Sequence, residues 1–81
     1  MKHSWTEAEE TVIAQTGIAV VAFPQLRASF VQSAAVQLDL PASKVRCAVR
    51  AAVNYLTGTG TWGRASRRLQ RLLAELLPQP T

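Results

Sequence analysis

The sequence predicts a small all-α domain of four to five helices, and three observations predict it. A capping box opens the first apolar stretch, apolar residues recur at spacings of three and four along most of the chain, and prolines and glycines punctuate those runs at intervals suited to helices. At 81 residues the chain fits one domain, spanning residues 1–81 with 1–5 and 78–81 as frayed tails. Hydrophobic residues make up 48% of it, which excludes wholesale disorder.

The first helix is expected to start near Glu7. Thr6 can accept from the backbone amide of Glu9, and the Glu9 carboxylate can reach back to Thr6. Glu7, Glu9 and Glu10 then lie in the first turn, where the helix dipole favours acids. Trp5, Ala8, Val12 and Ile13 form a rough apolar stripe, and Gly17 is the expected stop. The run Ile18 to Phe23 is continuously apolar and rich in β-branched residues. A short buried strand fits it, and so does a helix continuing through Gly17. The absence of a partner strand elsewhere favours the helix.

Pro24 suits the first turn of a second helix. Phe23, Leu26, Phe30, Ala34 and Leu38 form its apolar stripe over about four turns. The helix should end before Pro41, because the residue ahead of a proline is pushed out of the helical region. A third helix follows from Pro41 or Ser43, with Ser43 as candidate N-cap. At about 100° per residue, Val45, Ala48, Val49, Ala52, Val53 and Leu56 share one arc. Ser43, Arg46, Cys47, Arg50 and Asn54 share the opposite one.

Thr57 to Thr61 contains no apolar residue and two glycines, and is read as a break. A fourth helix is expected from Trp62 or Gly63 to Leu77. Trp62, Ala65, Leu69, Leu72, Leu73 and Leu76 would face inward, and Arg64, Arg67, Arg68 and Arg71 outward. Its leucines fit either packing on the other helices or a dimer contact.

Charge divides sharply along the chain. Residues 1–40 carry Lys2 and Arg27 against Glu7, Glu9, Glu10 and Asp39. Residues 41–81 carry Lys44, Arg46, Arg50, Arg64, Arg67, Arg68 and Arg71 against Glu75 alone. This basic second half points to a polyanion or an acidic protein surface as partner. The plainer alternative is a solvated arginine face that binds nothing.

The stretch Ala34 to Asn54 resembles the helix-turn-helix DNA-binding superfamily. Small Ala34 and Ala35 stand where the helices would cross, Leu38 and Leu40 flank the turn, and Ser43, Val45 and Arg46 open the next helix. The sequence departs at Asp39, where the family often has glycine, although Asp tolerates left-handed geometry better than most residues. The resemblance implies that the third helix is a recognition helix entering the major groove of double-stranded DNA. Arg46 and Arg50 would pair with guanine O6 and N7, Asn54 would meet adenine or phosphate, and Ser43 and Lys44 would hold phosphates. The arginines at 64, 67, 68 and 71 would add phosphate contacts, and a homodimer would match two half-sites. The opening Lys2-His3-Ser4-Trp5-Thr6-Glu7-Ala8-Glu9-Glu10 is also similar to the start of a Myb-like domain, which implies Trp5 in the core. The later spaced tryptophans of that family are absent.

Other chemistries are excluded on spacing. Gly58 to Gly63 matches G-x-G-x-x-G, but a helix precedes it and no acid can follow at the required distance, so nucleotide binding is rejected. His3 and Cys47 are the sole histidine and cysteine, too few for a metal site. No catalytic group and no cofactor is expected. The lone cysteine fits a reducing compartment, and neither a membrane span nor a signal peptide is evident, so a cytoplasmic protein is expected. The competing function is a small protein-binding inhibitor or adaptor, of the phage-type anti-host kind, that uses the same basic face to block an acidic or nucleic-acid-binding protein surface.

Overall fold

The computed structural model describes residues 4–58 and 65–77. Its elements are α1 (Glu7–Ala22), a 3-10 turn (Pro24–Leu26), α2 (Arg27–Leu38), α3 (Ala42–Thr57) and α4 (Arg67–Leu76). No strand occurs among the described residues. The domain is all-α, as its sequence predicts.

The capping box forms at the head of α1. The Glu9 amide donates to Thr6 Oγ1 at 3.2 Å, and the Thr6 amide donates to Glu9 Oε1 at 2.9 Å. Gly17, expected as the stop, instead lies inside the helix. Its role is tertiary: a Cβ built there would stand 2.7 Å from the Ala52 Cβ, so the missing side chain lets α1 and α3 cross closely. The run from Ile18 is therefore helix, and α1 ends at Ala22. Phe23 turns away at φ −134° and ψ 72°, as a residue preceding proline must.

Pro24 opens a 3-10 turn rather than α2 itself. That shift changes which residues face the core. Phe23 and Leu26, expected inside, are 51% and 44% exposed, while Val31, Ala34 and Ala35 are buried. Phe30 and Leu38 are half-buried against them.

The link from α2 to α3 is tight. Asp39 adopts φ 55° and ψ 47°. Its amide donates to Val36 O at 3.2 Å, and the Leu40 amide donates to Ala35 O at 3.1 Å. These two bonds form a Schellman ending, with Asp39 in the position that glycine usually takes. Pro41, at φ −60° and ψ 139°, then occupies the N-cap of α3. Its carbonyl accepts from Lys44 and Val45. Ser43, expected as the cap, is instead an exposed residue within the helix, because the proline fixes the entry two residues earlier.

In α3 the core arc is as expected: Val45, Val49 and Ala52 are fully buried, with Ala48, Val53 and Leu56 packed beside them. Gly58 closes the helix in left-handed geometry, φ 69°. Residues 59–61 of the expected break, together with Trp62, Gly63 and Arg64, lie outside the described residues. The fourth helix begins at Arg67, later than expected. Ser66 caps it, its Oγ accepting from the Leu69 amide at 3.1 Å.

Helix α1 touches α2, α3 and α4, whereas α2 and α4 do not touch each other. Ile13 of α1, Val45 and Val49 of α3 and Leu73 of α4 are the largest fully buried side chains. Trp5 packs against this core. Leu69, Leu72 and Leu73 are also buried within it, so the leucine stripe of α4 serves the fold and leaves only Leu76 and Leu77 exposed.

Candidate nucleic-acid interface

Packing of one arc of α3 against α1 dictates that the opposite arc faces outward. Ser43, Arg46, Cys47 and Arg50 are exposed there, and Lys44, about 200° around the helix from Arg46, is exposed on its other flank. Asn54, assigned to the same arc, is half-buried: it lies near the end of the helix, and its carbonyl accepts from the Gly58 amide. From Arg27 to Thr57 the sequence holds one acid, Asp39, in the interhelical turn. Among the described residues no carboxylate lies within ion-pairing distance of Lys44, Arg46 or Arg50.

Helix α4 behaves differently. Arg68 Nε lies 3.3 Å from Glu10 Oε1, and Arg71 Nη2 lies 3.6 Å from Glu7 Oε1 and its Nε 3.9 Å from Glu75 Oε1. Glu10 is only 7% exposed, yet both of its oxygens are used, because Ser66 Oγ donates to Oε2 at 2.6 Å. A buried carboxylate without partners would be costly; this one is held by a hydroxyl and a guanidinium from one helical turn. The acids that favour the start of α1 thus also hold α4 in place. Arg67 is exposed and has no such partner among the described residues, and Arg64 lies outside them.

The arginines assigned together by sequence therefore separate into two groups. Arg46 and Arg50, with Lys44, stand uncompensated on α3; Arg68 and Arg71 are engaged with α1 and within α4. Arg27 joins the first group, although it belongs to the acidic half of the sequence. It opens α2 and lines, with Ala28, Val31 and Gln32, a groove whose other wall is Ala42 and Arg46 of α3. Its four-residue spacing to Val31 was the signal for this position, since that spacing puts it above a core residue at the edge of α2.

No cluster of three or more His, Cys, Asp or Glu that could hold a metal exists among the described residues. No described helix is long and apolar enough to cross a membrane. Fold and surface together define a small all-α domain in which, among the described residues, Arg27 and Arg46 face one interhelical groove without an ion-pair partner. No family model, curated protein or solved structure matches the chain.

Proposed function

We propose that the chain is a small DNA-binding transcriptional regulator in which α2, its turn and α3 act as a helix-turn-helix unit. The observation that supports this best is the segregation of charge: Arg46 and Arg50 on the outer arc of α3, and Lys44 on its flank, are exposed with no ion-pair partner among the described residues. A rigid helix with such exposed cations suits the major groove and the phosphates that border it. Arg67 adds a further charge at a distance. A homodimer would place two such helices on successive half-sites. The protein does no catalysis under this proposal.

Fluorescence anisotropy with labelled duplexes tests it. Phosphate contacts by Lys44, Arg46 and Arg67 in each protomer correspond to a slope of log affinity against log salt of about −2.7. Binding that ignores salt, or no binding at ~50 mM salt, contradicts the proposal.

One observation favours the second function, an inhibitor or adaptor that docks on an acidic protein surface. Val21, Phe23 and Leu26 are each exposed near the junction of α1 and α2, and exposed apolar side chains there suit a protein partner. Capture of one protein from nuclease-treated lysate, with no affinity for duplex DNA, would favour it.

A further inference from the structure

Two guanidinium-bearing residues from different helices line one groove, and no carboxylate lines it with them. Arg27 stands one turn from Val31 on α2, and Arg46 one turn from Ala42 on α3. Val31, Ala42 and Ala28 supply an uncharged floor, and Gln32 a neutral amide. Neither arginine has an ion-pair partner among the described residues. Two like charges facing each other across a groove repel, and one anion between them relieves the repulsion while accepting from both sets of N–H donors. Guanidinium groups match the tetrahedral oxygens of a phosphate in this way better than ammonium groups do.

We propose that Arg27 and Arg46 jointly hold one backbone phosphate of duplex DNA between α2 and α3. Arg46 is then an anchor that fixes the register of α3, and base reading falls to Arg50. This rests on the DNA-binding function proposed above, and refines it by removing Arg46 from the base-reading pair and adding a residue from the acidic half of the chain.

A double-mutant cycle on duplex binding tests the shared phosphate. Arg27→Ala and Arg46→Ala should each lower affinity about tenfold on every duplex sequence and reduce the salt slope by about 0.9, the value for one phosphate. The double variant should lose little more, about threefold at most beyond either single variant, because both act on the same group. Arg50→Ala should instead alter the ranking of duplex sequences. Independent losses that multiply to about a hundredfold, or an Arg46→Ala effect confined to particular sequences, would overturn the clamp.

Titration of the free protein with inorganic phosphate, read by NMR at the arginine Nε–H signals, separates this from failure of the DNA function. Shifts at Arg27 and Arg46 without any duplex binding would retain an anion clamp and discard DNA as its ligand. No shift and no duplex binding would remove both. Competition by polyglutamate as strong as that by duplex DNA at equal charge would give the groove to an acidic protein surface and overturn the proposal.

Discussion

Gly17 shows how one absent side chain sets the geometry of the domain. A methyl group there would meet the Ala52 Cβ at 2.7 Å, and neither atom belongs to a side chain that can rotate away. Gly17→Ala should therefore destabilise by about 1–3 kcal/mol through overpacking, despite the roughly 1 kcal/mol advantage of alanine inside a helix. Urea unfolding measures this, and Ala52→Gly in the same chain should recover part of the loss. Stability equal to or above that of the unaltered protein would show that the two helices do not cross here. Asp39 is the converse case, a side chain where glycine would be easier. At φ 55°, Asp39→Gly should stabilise by up to about 1 kcal/mol and Asp39→Val should destabilise by about 1–2 kcal/mol, read as shifts in melting temperature. Sequence alone identifies Asp39 as tolerant of the turn because that property is local. The task of Gly17 depends on a residue of another helix, which no local pattern displays.

At the scale of the element, α4 is the most informative helix. Leu69, Leu72 and Leu73 fix it by burial, and Arg68, Arg71 and Ser66 orient it through the acids of α1. The two kinds of interaction differ in size. Leu73→Ala should cost about 2–5 kcal/mol, because the side chain is fully buried. Arg71→Ala should cost no more than about 0.5 kcal/mol, because both partners are exposed. Chemical denaturation of the two variants checks the contrast, and equal losses would mean that charge rather than burial holds α4. The heptad-like leucines are legible in the sequence, but their destination is not. The same spacing serves an internal core or a dimer, and the choice depends on whether α1 offers a complementary face. The start of α4 lies later than its spacing predicts: the Ser66 hydroxyl accepts from the Leu69 amide as the cap and donates to Glu10 at once. In α3 the buried arc is read correctly, and the outer one except at Asn54, since a strongly divided helix declares its buried side without help from its neighbours.

For the whole molecule, the distribution of charge matters more than its total. The net charge of +4 follows from composition, and the acidic-to-basic order of the chain is plain. Folding then rearranges that order in space. Glu7 and Glu10 fall beside Arg71 and Arg68, whereas Arg27 leaves the acidic half to stand across a groove from Arg46. The basic half of the sequence is thus not the basic face of the molecule, and the candidate site was legible only where it coincides with α3. Anisotropy titration of a labelled duplex across a salt series, with α3 and α4 variants compared side by side, tests this most directly. Replacing Lys44, Arg46 and Arg50 together by alanine should reduce the salt slope by about two phosphate contacts, those of Lys44 and Arg46, and remove the sequence preference carried by Arg50. Arg68→Ala with Arg71→Ala, shown by circular dichroism to remain folded, should leave the slope within about one contact of the unaltered protein. The reverse ranking, with α4 carrying the salt dependence and α3 dispensable, would contradict the account.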